Sequence, residues 1–162
     1  QLACNQKDGI FSGGSNMLAI VWGIANKTRA RKIMDYVKRH NLEHFSIEVT
    51  YPNYPDSKVH VLFKALSMKE YHNGMVWLWI GCAGVLAYTT IGQHKKAQHL
   101  LRKLSRKIVE YNEVYEVYEP TGEPVNRSLY KSAYPFAWSA GMFIYTIHRM
   151  RYLENYMKRK KK

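Results

Sequence analysis

The hydrophobic pattern at the start of the chain predicts two helices that form a hairpin. Residues 16–25 (NMLAIVWGIA) are almost entirely apolar, with Ser15 or Asn16 as the N-cap, and so predict a buried helix. From Thr28, which we expect to cap the second helix, apolar residues recur on one helical face up to a stop at Asn41. That face consists of Ala30, Ile33, Met34 and Val37. The hairpin therefore pairs a buried helix with an amphipathic helix.

The same arrangement recurs in the middle of the chain. Residues 75–92 carry no charge and predict a helix that other helices bury on all sides, closed by Gly92. Residues 94–111 then show an apolar face against a face of lysines and arginines, which predicts an amphipathic helix. The apolar face consists of Ala97, Leu100, Leu101, Leu104 and Ile108. A third apolar segment, 136–148, predicts another buried helix.

Three loops separate these helices. The segment 45–58 combines β-branched and aromatic residues with two prolines, and predicts a long loop that contains one short strand. YHNG (71–74) and YEVYEPTG (115–122) each precede an apolar helix. Apolar inner helices paired with amphipathic outer ones are typical of an α/α toroid, so we predict an all-α fold that forms about half of such a toroid. In that fold YHNG and YEVYEPTG lie at the same mouth.

Composition adds a strong positive charge to this picture. The 162 residues include 25 Lys and Arg against 12 Asp and Glu, a net charge of +13. Basic faces at 28–40 and 94–109 suit solvent, nucleic acid or an acidic protein.

We assign residues 1–156 to one partial toroid domain and residues 157–162 to a disordered basic tail. The length of the segment 75–92 allows a membrane span, but its glycines, threonines and tyrosine favour a buried helix.

The two cysteines, Cys4 and Cys82, predict no disulfide framework, and a reducing, cytoplasmic setting fits them. The N-terminal residues do not have the layout of a signal peptide.

Three separate blocks resemble the C-terminal half of an α/α-toroid glycoside hydrolase of the amylo-α-1,6-glucosidase (glycogen debranching) family. These blocks are 71–88 (YHNGMVWLWIGCAGVLAY), 115–125 (YEVYEPTGEPV) and 134–144 (YPFAWSAGMFI), and the likeness extends over residues 8–148. The resemblance implies an inverting mechanism, in which one carboxylic acid protonates the leaving oxygen. A second carboxylate, about 6.5–9.5 Å away, activates a water.

The resemblance assigns the general base to Glu116, which precedes Tyr118 and Pro120 as in the family's aromatic loop. The alternative for Glu116 is a structural carboxylate buried against a basic partner. We expect Glu119 to be an exposed turn residue.

The resemblance also implies sugar subsites around the same mouth. Their predicted members are Tyr71, His72, Asn73, Trp77 and Trp138. Aromatic rings stack on sugar rings, although core packing is the alternative for both tryptophans. The family has Trp-Pro-Trp where this chain has Trp77-Leu78-Trp79, so the presentation of Trp77 can differ. We expect no cofactor, and no metal, because no Cys or His lies at ligand spacing from His72.

The general acid of the family has no counterpart in this sequence. Asp8 is the only acidic residue ahead of the first apolar helix, and it sits where the family's acid does not. We therefore expect the missing half of the barrel, or another chain, to complete the site around an oligosaccharide or α-glucan. The second hypothesis is an inactive, basic interaction module derived from such a domain, whose partner is nucleic acid or an acidic protein.

Overall fold

A computed structural model describes residues 9–159 of the chain, with side chains as far as residue 153. The described part is mostly helical. Its six α-helices are α1 (Gly13–Val21), α2 (Lys27–Arg39), α3 (Val61–Ala65), α4 (Leu78–Thr90), α5 (His94–Tyr111) and α6 (Ala137–Arg159). Its two-residue strands are β1 (Phe11–Ser12), β2 (Thr50–Tyr51), β3 (Val76–Trp77) and β4 (Val117–Tyr118). A 3-10 turn spans Asp56–Lys58.

The core is centred on α4, which packs against α1, α5 and α6. Eleven of its thirteen residues are buried, as the uncharged run predicted. Gly81 and Gly84 permit this close packing, because a β-carbon at either position would come within 3 Å of a neighbouring side chain. Those neighbours are Leu104 and Ser46 for Gly81, and Ile47 for Gly84. Cys82 is fully buried here as a free thiol, and burial raises its pKa to about 12.

The first helix begins and ends earlier than predicted. It is preceded by the antiparallel β1–β2 pair, and its cap residue is Ser12 instead of Ser15 or Asn16. Gly13 N donates to the carbonyl of Val49 (2.8 Å), which fixes the start of the helix directly after the strand. The helix ends at Val21, so the remainder of the predicted segment lies in an exposed turn.

The amphipathic helices fit their patterns better. Helix α5 has the predicted bounds, and α2 buries Ala30, Met34 and Val37. The prediction that Thr28 caps α2 was wrong, because the side chain of Asn26 accepts from Arg29 N instead. In the long loop, β2 supplies the short strand that was predicted.

Helix α6 differs most from its prediction as a buried helix. One face packs on α4 through Ser139, Thr146 and Met150. The opposite side carries apolar residues that are more than half exposed, which we call the α6 outer stripe: Trp138, Ile144, Tyr145 and Tyr152.

The helix also extends to Arg159, so residues 157–159 of the predicted tail are helical, and residues 160–162 lie outside the described part. Among residues 9–159, no helix combines the length and hydrophobicity that a membrane crossing requires.

Candidate functional site

Glu116 lies where three segments of the chain meet. The β3–β4 pair aligns Trp77 with Val117, so the strand that follows YHNG runs beside the glutamate. Glu116 N donates to the carbonyl of Ala133 (2.9 Å), and Val117 N donates to the buried hydroxyl of Ser132 (3.0 Å). The backbone on both sides of Glu116 is therefore held before its side chain makes any contact.

Two tyrosine hydroxyls hold the carboxylate of Glu116. Tyr71 donates a short hydrogen bond to Oε1, and Tyr130 donates to Oε2 at 2.7 Å. The two rings meet edge to face, with centroids 5.6 Å apart. Burial, followed by the bond to Glu116, raises the pKa of both tyrosines, so both hydroxyls stay protonated donors. Within the described residues Glu116 forms no ion pair, in contrast to the alternative of a basic partner.

Trp77 is buried and does not offer a ring face to a sugar. Only 3% of its surface is exposed, and its indole Nε1 donates to the carbonyl of Tyr71 (2.8 Å). The imidazole of His72 stacks on it at 4.8 Å, and Tyr71 and Phe136 contact its edges. The prediction of a sugar-stacking role for Trp77 is corrected to a packing role, because strand β3 directs the ring into the core.

His72 forms the outer layer of this aromatic stack: Trp77 covers one face of its imidazole, while the residue as a whole remains exposed to solvent. Desolvation lowers its pKa, whereas the negative charge of Glu116 acts in the opposite direction. A neutral imidazole at this position can donate or accept a hydrogen bond at the rim of the site.

Asn73 has a structural role that occupies its side chain. Its amide Nδ2 donates to the carbonyl of Tyr54 (2.9 Å), while Oδ1 accepts from Tyr54 N and from the hydroxyl of Thr50. The residue is 9% exposed. The predicted hydrogen bond from Asn73 to a sugar is therefore corrected to a brace between YHNG and the long loop.

Trp138 is the predicted aromatic residue that does face solvent. It is 58% exposed and stacks on Trp79, with centroids 5.3 Å apart and planes at 16°. Trp79 in turn lies against Gly14, where a β-carbon would come within 2.8 Å of the indole. The sequence did not indicate this support, although the small Gly13-Gly14 pair is a signal for close packing.

A second polar cluster, centred on Arg127, was missed by the sequence analysis. The guanidinium donates to both oxygens of Glu119 (2.8 Å each), to Glu70 (2.6 Å) and to the carbonyl of Ser67 (2.9 Å). Hydrogen bonds to Glu119 raise the pKa of Arg127 against the effect of desolvation. Glu119 is thus a partly buried ion-pair partner and not the exposed turn residue that we predicted. The available signal was that Arg127 is the single cation within residues 108–130, which contain five glutamates.

The arrangement offers one carboxylate and one open aromatic surface. Each carboxylate oxygen has two acceptor sites, so Glu116 can bind a water in addition to its tyrosines. Asp8, the only acidic residue ahead of the first apolar helix, lies outside the described residues. In the described part of the chain, no cluster of three or more Cys, His, Asp or Glu side chains suits a metal ion.

Comparison with known proteins adds no family to this geometry: no protein-family model and no curated protein matches the chain.

Proposed function

We propose that the chain is part of an α/α-toroid glycoside hydrolase that acts on α-glucosidic linkages by inversion, with Glu116 as the general base. One observation carries this proposal: a partly exposed carboxylate that is oriented by two hydroxyls and forms an ion pair with no cation among the described residues. A general base must be ionised and must present a free lone pair to water. Hydroxyl donors fix the orientation of a carboxylate without the full neutralisation that a lysine or arginine produces.

Two further features support a sugar-binding role. Trp138, held by its stack on Trp79, offers a flat apolar surface of the kind that packs on a pyranose ring. His72 and the hydroxyl of Tyr130 are polar groups near Glu116 that suit sugar hydroxyls. Asn73 and Trp77 act one layer deeper, where they fix the segment that carries Tyr71.

The proposed half-toroid accounts for the exposed apolar side chains next to the core. Helices α1 and α6 pack on α4, which leaves α4 enclosed. The turn after α1 exposes Trp22 and Ile24, and α6 exposes its outer stripe. Patches of this kind usually mark an interface. We infer that further helices, from the missing half or another chain, cover them and supply the general acid. A cytoplasmic setting fits the free thiol of Cys82.

The first experiment tests the sugar site directly. Calorimetric titration of the chain with a branched α-glucan oligosaccharide should give binding that Trp138→Ala weakens about tenfold, a loss of about 1.4 kcal/mol. Glu116→Gln should change the affinity little, because a glutamine can keep hydrogen bonds to Tyr71 and Tyr130. Absence of glucan binding by the wild-type chain contradicts the sugar site.

The second experiment tests the role of Glu116. Once the segment that supplies the acid is present, Glu116→Gln should lower hydrolysis about 10²–10⁴-fold, the usual contribution of a positioned base. Glu113→Gln, the same change three residues upstream, is the matched control and should leave turnover unchanged. Full turnover in the Glu116 variant rules out its assignment as the base. Glucan binding without turnover in the completed wild-type protein favours the inactive interaction module.

A further inference from the structure

A basic groove lies between the outer helices α2 and α5, at the end of α4 opposite Glu116. It contains a cavity of about 400 Å³, whose rim carries Lys38 from α2 and Lys95, Lys96 and His99 from α5. A second concave surface of about 630 Å³ includes Lys38 as well, together with Lys32 and Arg39. We call these adjoining surfaces the α2–α5 groove.

Positive charge in the groove is largely uncompensated. Its lining contains five lysines and arginines and two carboxylates, Asp35 and Glu43, a difference of +3. Glu43 is already engaged, because it accepts from Lys103 (3.2 Å) and from Tyr88 (2.7 Å). The side chains of Lys32, Lys38 and Lys95 form no ion pair within the described residues. A concave surface lined by one sign of charge concentrates the potential and attracts anions.

Local helix stability does not explain the lysines of α5. Lys95 and Lys96 occupy its first turn, where no acidic residue is present and where cations oppose the helix dipole. By contrast, Lys38 and Arg39 sit in the last turn of α2, where cations are favourable. Lys38 nevertheless lines the same cavity as Lys95 and Lys96.

The positive surface continues beyond the groove along one side of α5. The exposed residues Lys95, His99, Arg102 and Arg106 follow one another at intervals of three or four positions. Such spacing places them in one row on a helix. The row suits an elongated anion better than a compact one.

Apolar anchoring is absent from the lining of the groove. Val37 is 0% exposed and the ring of Tyr88 is 3% exposed. The residues that dominate the affinity of protein interfaces are mostly Trp, Tyr and Arg, and the groove exposes neither Trp nor Tyr to an acidic protein. Of the aromatic rings that line the groove, only the imidazole of His99 is exposed, so base stacking adds little and charge is the main source of affinity.

We propose that the α2–α5 groove and the adjoining row on α5 bind the phosphate backbone of nucleic acid, without reading its sequence. Lys38 and Lys95 form the two sides of the site, and Lys32, Arg39, Arg102 and Arg106 extend it in both directions. This site is separate from the proposed sugar site and does not depend on it.

Fluorescence anisotropy with a labelled oligothymidine strand tests the proposal on the full chain. The variant Lys38→Glu/Lys95→Glu should bind at least tenfold more weakly than the wild type. The slope of log K against log salt should also become shallower, by about 0.7 for each phosphate contact removed. The matched control is Lys64→Glu/Lys131→Glu, which makes the same charge change at exposed positions outside the groove. The affinity of this control variant should stay within about threefold of that of the wild type. This limit distinguishes the loss of direct contacts in the groove from the long-range effect of net charge.

Equal losses in both double variants mean that net charge alone drives binding, and they overturn the proposal. Binding that does not respond to salt, or tighter binding of polyglutamate than of the oligonucleotide, overturns it as well. The milder variant Lys38→Gln/Lys95→Gln should show an intermediate loss. Circular dichroism of all variants checks that each retains its helices, so that a loss of binding reports on the groove.

Discussion

Helices α4 and α6 both arise from apolar segments, yet they occupy different environments. Almost every side chain of α4 is buried, because α1, α5 and α6 surround it. Helix α6 packs on α4 by one face and exposes Trp138, Ile144 and Tyr145 on the other. The comparison shows that hydrophobicity indicates a helix with apolar neighbours, but it does not indicate whether those neighbours belong to the same chain.

The largest expected difference comes from the same truncation in both helices. Ile80→Ala in α4 should lower the free energy of unfolding by about 2–5 kcal/mol, because it leaves a cavity in a packed core. Ile144→Ala in α6 removes a side chain that is 57% exposed and should change stability by less than about 0.5 kcal/mol. Urea unfolding curves measure both values. Similar losses in the two variants would mean that the outer face of α6 is covered.

Replacing a glycine by alanine should change the stability in opposite directions in α4 and in α6. A methyl group at Gly81 meets Leu104 and Ser46 at 2.6 Å, so Gly81→Ala should destabilise the protein by about 1 kcal/mol or more, despite the better helix propensity of alanine. At Gly141 in α6 nothing lies within 4 Å of the added methyl. Gly141→Ala should therefore stabilise the protein by up to about 1 kcal/mol. Thermal unfolding compares the two, and destabilisation at Gly141 contradicts an open face there.

The exposed stripe should also be detectable without any change in stability. Replacing Ile144 and Tyr145 together by serine should reduce the fluorescence of a bound hydrophobic dye, because the dye loses a continuous apolar surface. Leu129→Ser removes another exposed apolar side chain, 63% accessible and outside α6, and serves as the control with little effect. Equal dye binding by the wild type and the α6 variant argues against a patch on this face.

The smallest effect concerns pH at the N-terminal end of α4, where His72 stacks on Trp77. Desolvation lowers the pKa of His72 in the folded state, so the unfolded chain binds the proton more readily. Folding stability should therefore fall as the pH drops from about 7.5 through the ordinary histidine pKa of about 6.5 and on through the lower folded value. His72→Gln should show a weaker decrease over this range in urea unfolding at several pH values. An unchanged pH profile contradicts the desolvation of the imidazole.

Local patterns predicted the elements that local interactions determine. Helix α5 has an uninterrupted apolar face and follows Gly92, whose φ of 80° ends the preceding helix, and so both of its bounds were predictable. The start of α1 depends instead on the pairing of β1 with β2, almost forty residues away along the chain. The length of α6 was underestimated because the uncharged run ends at His148, whereas the final turns mix charged residues with apolar ones such as Met150 and Leu153.

In the candidate site, too, local features were predictable from the sequence and contacts between distant segments were not. The two loops at one mouth were predicted from their positions before apolar helices, and the contact between Tyr71 and Glu116 agrees with that placement. The inward direction of Trp77 was not predictable, because it depends on the pairing of β3 with β4. Tyr130 and Arg127 were missed for a related reason: both reach partners across loops, and no periodicity marks such contacts.

The free thiol of Cys82 gives the core a chemical reporter of its own opening. A thiol whose pKa is about 12 is protonated at neutral pH and reacts slowly, and the packing around α4 also blocks access to it. Modification by a thiol reagent then requires a conformation in which α4 separates from its neighbours. In a Cys4→Ser background, the labelling rate at Cys82 measures how often the centre of the molecule opens under native conditions. A partner that covers α6 would slow that rate, so the binding of the partner could be followed by the labelling of a buried residue.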